Sequence, residues 1–329
     1  MVLKLVVDAM GGDRAPQVVL DGVDLALASQ ADLEIILTGP AEVVTQAVKA
    51  HPDRLTAVST TEVISMQEQP AEAVRSKKDS SIVVGCKLVA DGQAAGFFSA
   101  GSTGAVMAAA TLYMGRIKGI ARPMIASRFP TASGGFVLIG DIGANADVKP
   151  EYLLQFAWMG EAYARTMMAI DSPRVGLLNI GSEAQKGNEL ALQAYQLLSQ
   201  ELDSFAGNAE GTDILSGRFD VVITDGFTGN IVLKTIEGTA SLLFDQLRQV
   251  LTASTMRKLA ATIVKPGLSD LKKRLSADEI GGAPLLGVRG SCLIGHGSSS
   301  PKAIANGILA TAAAVRAELA ETIAQKVMI

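Results

Sequence analysis

Residues 219–238, FDVVITDGFTGNIVLKTIEG, gather the residue types that hold an anion beside a polar carbonyl. Val221-Val222-Ile223 is a short β-branched run and reads as a buried strand. A turn follows, Asp225-Gly226-Phe227-Thr228-Gly229-Asn230, which passes into a helix carrying Ile231, Val232, Thr235 and Ile236. In open parallel sheets ligands sit at the carboxyl ends of strands, where such a turn meets a helix. Gly226 and Gly229 permit close backbone approach, and the free N–H groups of the helix start point at whatever fills the crevice. Lys234, one turn further on, adds a full positive charge. Asp225 and Asn230 are either ligand contacts or residues that fix the turn through Asx hydrogen bonds.

The same design recurs at other strand ends. Gly101-Ser102-Thr103-Gly104 follows a strand over 96–100, with Ser102 also a candidate helix cap. Gly143 and Asn145 lie in the corner after a strand over 136–141. Asn179 and Lys186 lie in the corner after 175–178, and His296 in the glycine- and serine-rich corner before Pro301. Nucleophile candidates are poor by comparison. His51 sits in a polar helix end, which leaves His296 as the functional imidazole candidate. There is no G-x-S-x-G elbow, paired-His motif or Walker A lysine, and no G-x-G-x-x-G to suggest a nicotinamide cofactor. Such a site suits a bound anion, such as phosphate, as nucleophile, attacking an activated acyl group while amides and a lysine stabilise the carbonyl oxygen. A thiol leaving group, with a pKa of about 8.5, departs as thiolate without strong acid help.

The elements that must position these corners follow from apolar periodicity. Strands are expected over 3–8, 34–38, 55–59, 96–100, 124–129, 136–141, 175–178, 221–223, 285–288 and 291–294. Helices are expected over 16–29, 41–50, 80–91, 105–114, 150–168, 189–202, from 231 towards 250, and in one long piece over 301–327. Strand–helix alternation predicts an α/β fold with a mostly parallel sheet between helical layers, one domain over 1–329. The 48% hydrophobic content supplies a sizeable core, and the net charge of −4 argues against nucleic acid. Cys86 and Cys292 lack metal-ligand spacing, and no leader or membrane-length apolar run appears, so a cytoplasmic protein is expected.

Residues 246–275 differ in character. Arg248, Arg257, Lys258, Lys265, Lys272, Lys273 and Arg274 stand there against a single acid, Asp270. Apolar residues at helical spacing and a break at Pro266-Gly267 predict two short amphipathic helices. Such a pair is a solvated face, a dimer contact, a dock for an acidic partner, or an attachment to an anionic membrane surface.

Several motifs together resemble the PlsX family: DAMGGD at 8–13, SAGSTGA at 99–105, GANADVKPEYLLQFAWMGEAYA at 143–164, GLLNIG at 176–181, DGFTGNIVLKTIEG at 225–238 and GGAPLLGV at 281–288. They cover nearly the whole chain in order; Ser182 departs from the family's usual acidic residue. Members of that family are phosphate acyltransferases of bacterial phospholipid synthesis. The resemblance implies transfer of a fatty acyl group from acyl carrier protein to inorganic phosphate, giving acyl phosphate without a covalent enzyme intermediate. It implies a three-layer α/β/α fold, isocitrate/isopropylmalate dehydrogenase-like and related to phosphotransacetylases. It further implies a homodimer, no metal or cofactor, peripheral membrane association, and a downstream membrane glycerol-3-phosphate acyltransferase. Under it, Gly101, Ser102, Thr103 and Gly104 hold phosphate with Asn145, Asn179 and Lys186. Lys234, Asn230, Gly229 and Asp225 orient the thioester, and His296 moves a proton or holds phosphate. Two competing readings stay open: an ATP-dependent phosphotransferase of the actin-like type, and a membrane scaffold without catalysis.

Overall fold

Runs of Val, Ile and Leu too short for a helix fold as strands, and each amphipathic helix that follows buries its apolar stripe on one sheet face. The computed structural model describes residues 2–274, 279 and 281–327. The first half of the chain forms β1 (Leu3–Asp8), α1 (Gln17–Ser29), β2 (Leu33–Gly39), α2 (Ala41–Val48), β3 (Leu55–Ser59), α3 (Pro70–Ser76), α4 (Ser81–Ala90), β4 (Gly96–Ser99), α5 (Thr103–Ala109), β5 (Met124–Pro130) and β6 (Phe136–Gly140). The second half forms α6 (Pro150–Met167), β7 (Val175–Leu178), α7 (Glu189–Glu201), β8 (Phe205–Ala209), β9 (Val221–Ile223), α8 (Gly226–Thr252), α9 (Thr255–Arg274), β10 (Ala283–Leu286), β11 (Ser291–Ile294), α10 (Pro301–Arg316) and α11 (Leu319–Val327).

Among the described residues the strands make one 11-stranded sheet in the order β3-β2-β1-β4-β11-β10-β5-β6-β9-β7-β8. β3, β2, β1, β4 and β11 are mutually parallel, as are β6, β9, β7 and β8. β10 and β5 join these blocks through antiparallel pairings on both sides, so the blocks run in opposite directions. Successive residues serve opposite faces, as a pleat requires. Leu5 and Val7 pack with Val19 of α1 and Ile304 of α10, while Val6 packs with Ile82 and Cys86 of α4. In the other block Leu138 joins α6 and α11, and Ile139 joins the opposite layer. The fold is a three-layer α/β/α arrangement with a mostly parallel sheet.

Some elements depart from the sequence expectation. Residues 226–230 are the first turn of α8 rather than a turn before it, because Asp225 caps that helix directly. The expected break at Pro266 does not occur: α9 runs through it, and the hairpin bend falls at residues 253–254 instead. α9 is exposed on both sides of the proline, so water can donate to the Thr262 carbonyl, for which proline has no N–H to offer. The long helix over 301–327 is instead two helices bent by 50°, with Glu318 in the left-handed region (φ 51°) between them. β10 ends two residues early because Gly287 turns with φ 92°. Leu275, the end of the basic segment, lies outside the described residues. No single helix among those described is long and apolar enough to cross a membrane.

Candidate active site

The corners that follow β4, β6, β9 and β11 open onto one cavity of about 610 Å³ over β10 and β5. Thr103 enters from the first corner, Ile142 and Gly143 from the second, Asn230 and Lys234 from α8, and His296 and Ser298 from the last. Ile125, Leu233 and Ile294 give the cavity an apolar side. Two helix N-termini face it. In α8, Asp225 accepts from the Thr228 N–H at 2.8 Å and from the Thr228 hydroxyl at 2.7 Å. In α10, Ser300 accepts from Ala303 N–H at 3.2 Å and Pro301 occupies the first turn. Free amides and the positive ends of the dipoles therefore point at the same space.

The α8 corner is held by Asp141, which is fully buried. Its Oδ1 accepts from the N–H groups of Ile125 (3.2 Å), Gly143 (3.1 Å) and Ala144 (2.9 Å). Its Oδ2 accepts from Asn145 N–H (2.7 Å) and Asn145 Nδ2 (2.8 Å). Burial still pushes this carboxyl above its ordinary value, outweighing those bonds. Asn145 also donates to the Pro123 carbonyl at 2.8 Å, so its amide is spent on the loop. Gly229 lets α8 rest on this loop: a Cβ there would stand 1.8 Å from the Asp141 carbonyl oxygen.

A second buried carboxylate, Asp8, organises the corner opposite. It accepts from Met10 N–H at 3.0 Å and from the Ser99 hydroxyl at 2.7 Å, and Ser99 in turn accepts from Gly101 N–H at 3.0 Å. Burial pushes the Asp8 carboxyl up as well. The loop after β1 does not line the cavity; it braces the His296 corner from behind. Asp13 N–H donates to the Gly297 carbonyl at 2.8 Å, and Arg14 donates to the Ser299 carbonyl at 2.9 Å.

His296 Nδ1 lies 2.8 Å from the Ser298 hydroxyl and 3.3 Å from Ser298 N–H. A backbone N–H only donates, so Nδ1 is the bare nitrogen and Nε2 carries the proton. Lys234 Nζ donates to Glu237 at 2.8 Å, and both line the cavity. Of the residues singled out in the sequence, Thr103, Asn230, Lys234 and His296 come together there. Gly101, Ser102 and Gly104 lie in the corner behind Thr103, where Gly104 packs against Pro70. Asp225, Asn145 and Gly229 shape the α8 corner from within, as above.

Asn179 and Lys186 do not reach the cavity of their own chain. Asn179 donates to the Lys186 carbonyl at 2.9 Å and accepts from Ile180 N–H at 2.8 Å, which ties its own loop together. Lys186 is exposed, and among the described residues its ammonium pairs with no carboxylate. Sequence reasoning missed Ser127, Glu237 and Ser299, and left the GGA run at 281–283 without a role, although all of them line the cavity. Only the glycine pair before β10 carried a signal, being another place where backbone can approach a ligand.

Residues 3–322 match the family model described as "Fatty acid synthesis protein". The chain is 50% identical over 309 residues to a phosphate acyltransferase of Desulfitobacterium hafniense, covering 93% of this chain and 92% of that one. It is 44% identical over 325 residues to a phosphate acyltransferase of Bacillus licheniformis, covering 99% and 98%. Among solved structures it resembles a phosphotransacetylase from Streptococcus pyogenes, with TM-score 0.61, 18% identity and 96% and 94% coverage. A branched-chain phosphotransacylase from Enterococcus faecalis gives 0.58, 12%, 96% and 99%. At those identities the structural likeness speaks for the fold.

Proposed function

The chain belongs to the PlsX family of phosphate acyltransferases, and from that premise we propose that it transfers a fatty acyl group from acyl carrier protein to inorganic phosphate at the central cavity. The observation that carries this reading is the meeting of two helix N-termini, a histidine and a lysine around a partly apolar cavity. Phosphate sits among Thr103, His296 and the amides of the last corner; the thioester carbonyl turns towards Asn230 and Lys234. The acyl chain lies on Ile125, Ile142 and Leu233. One phosphate oxygen bonds to the carbonyl carbon, the oxyanion is stabilised by the amides and Lys234, and the C–S bond then breaks to release thiolate. Inorganic phosphate already carries ionised oxygens at neutral pH and can attack as an oxyanion, so no strong base is needed. His296, with its proton on Nε2, can donate to a phosphate oxygen and hold it in line.

The His296–Ser298 contact favours a second reading, in which Ser298 is acylated and phosphate merely resolves it. Purified protein incubated with acyl-carrier thioester is expected to release free thiol only when phosphate is present. Ser298→Ala is expected to keep that activity within about tenfold; a nucleophile's loss costs on the order of 10³-fold or more, and such a loss, with an acylated serine trapped in the wild type, would reverse the assignment.

The α8–α9 hairpin suits two of the proposed partners. Arg248, Lys258 and Lys265 surround its groove, and an acidic carrier would be drawn to them more strongly at low salt. Met256, Leu259 and Ile263 form an exposed apolar stripe on α9, the pattern of a helix resting on an anionic bilayer that hosts the next acyltransferase. Charge reversal at Arg248, Lys258 and Lys265 is expected to raise the KM for carrier-bound substrate at low salt and leave the KM for phosphate unchanged. An unchanged carrier KM would move carrier docking elsewhere.

A further inference from the structure

One face of α8 lines the cavity from Gly226 and Phe227 through Asn230, Leu233 and Lys234 to Glu237. The helix leaves the end of β9 and climbs away from the sheet, so Asn230 stands near the floor. Glu237, the last α8 residue of the lining, stands at the rim about three turns up. It is also the only carboxylate among the described residues of that lining. An acid beside an anion site repels the nucleophile. Nor does helix stability require it: Glu237 and Lys234 form an i,i+3 pair with side chains 44% and 52% exposed, and such exposed pairs contribute little.

The hydrogen-bonding capacity of this carboxylate is half used. Oε2 accepts from Lys234 Nζ at 2.8 Å, and Oε1 has no hydrogen-bond partner among the described residues. Lys234 spends one of its three N–H donors there and keeps two for an oxygen in the cavity. A carboxylate paired in this way only accepts, so the group that suits Oε1 is an N–H or O–H of the substrate.

We propose that Glu237 selects thioesters with an amide N–H two methylenes from the sulfur, the linkage found at the end of a carrier's phosphopantetheine arm. The proposal rests on the acyl-transfer reading for the place of the thioester. With its carbonyl at Asn230 and Lys234 and the acyl chain on Ile125, Ile142 and Leu233, the thiol side runs outward along α8. Glu237 lies three residues beyond Lys234, a rise of about 4.5 Å. Three bonds separate the sulfur from the amide nitrogen, a reach close to the roughly 3.8 Å that three bonds cover between neighbouring Cα atoms. One carboxylate thus holds both sides of the C–S bond: Lys234 against the carbonyl oxygen, and the amide of the leaving group. A thiol without that N–H leaves Oε1 unpaired.

The test compares two substrates with the same acyl chain, the thioesters of N-acetylcysteamine and of N-acetyl-N-methylcysteamine, which differ in whether the amide carries a hydrogen. Wild type is expected to favour the first in kcat/KM by roughly ten- to a hundredfold, the worth of a hydrogen bond to a charged group. Glu237→Ala is expected to abolish the preference. Glu237→Gln, which keeps an acceptor without the charge, is expected to fall between. Distortion of α8, or a Lys234 that has lost its tether, would slow both substrates alike and leave the ratio unchanged. An unchanged ratio in Glu237→Ala, or phosphate-dependent turnover of both thioesters by wild type at equal kcat/KM, would overturn the assignment and leave the acyl-transfer reading in place. Unreactive ketones with CH₂ in place of sulfur, titrated by calorimetry, give the converse. Tighter binding of the N–H form that Glu237→Ala abolishes, without phosphate-dependent thiol release from either thioester, would uphold the amide contact and remove the acyl-transfer reading.

Discussion

Gly229→Ala is expected to lose on the order of 100-fold in acyl transfer, the cost of a misplacement of about 1 Å, even though the change adds one methyl group. The new Cβ would stand 1.8 Å from the Asp141 carbonyl oxygen, with Thr224 Cγ2 at 3.0 Å on another side. Backbone cannot give way as a flexible side chain can, so the first turn of α8 must lift. Asn230 and Lys234, on the same face of that helix, move with it. Overpacking of this kind costs about 1–3 kcal/mol, so a lower melting temperature should accompany the kinetic loss. Turnover unchanged to within threefold would mean that α8 tolerates the shift and that its register does not matter to the chemistry.

Asp141→Asn has the second large expected effect, this time chiefly on stability. Oδ2 accepts two donors from Asn145, and Oδ1 accepts three more N–H groups. An amide nitrogen in place of either oxygen turns a donor against donors and strands at least two of them. Each buried polar group left unsatisfied costs roughly 1–3 kcal/mol, which outweighs the relief of removing a buried charge. The pH dependence gives a separate check. Burial holds the Asp141 carboxyl above its ordinary 3.8. Between that value and the raised one, the folded protein keeps a proton that the unfolded chain has released. The contribution of this group to stability therefore falls as pH rises through that window, and it vanishes in the variant. Melting curves across mildly acidic pH should show the gap between the two proteins narrowing as pH climbs. A gap that widens would mean that the carboxyl is ionised across the whole window.

Much of the fold was readable because buried parallel strands leave little freedom. β1, β3, β7, β9 and β11 have the bounds that their apolar runs predict. Elements without such a signature escaped: α3 is seven residues long, too short for helical periodicity to show. β8 is an edge strand, FAGNA, with Gly207 at φ 98° and no β-branched run. The left-handed Glu318 that bends the C-terminal helices carries neither glycine nor proline to announce it.

The site was legible as chemistry and not as geometry. Thr103, Asn230, Lys234 and His296 were identifiable as polar residues at strand ends, and the structure brings them together. Asn145 and Asp225 looked equally like ligands, yet their hydrogen bonds are consumed inside the α8 corner. Sequence does not distinguish a side chain aimed at a ligand from one that holds the loop presenting it. Nor does local spacing show that the β7 corner lies across α8 from the cavity, since that depends on strand order.

That strand order has a consequence for synthesis. β10 and β11 are among the last elements made, yet they fill the middle of the sheet between β4 and β5. Until they emerge from the ribosome, the nascent chain carries two half-sheets with bare inner edges, each a template for pairing with another chain. His296 and the α10 cap come later still, so a chain stopped short of them would lack one wall of the cavity. The last wall of the cavity and the cover for those edges therefore come from one stretch of chain, and neither is complete without the other.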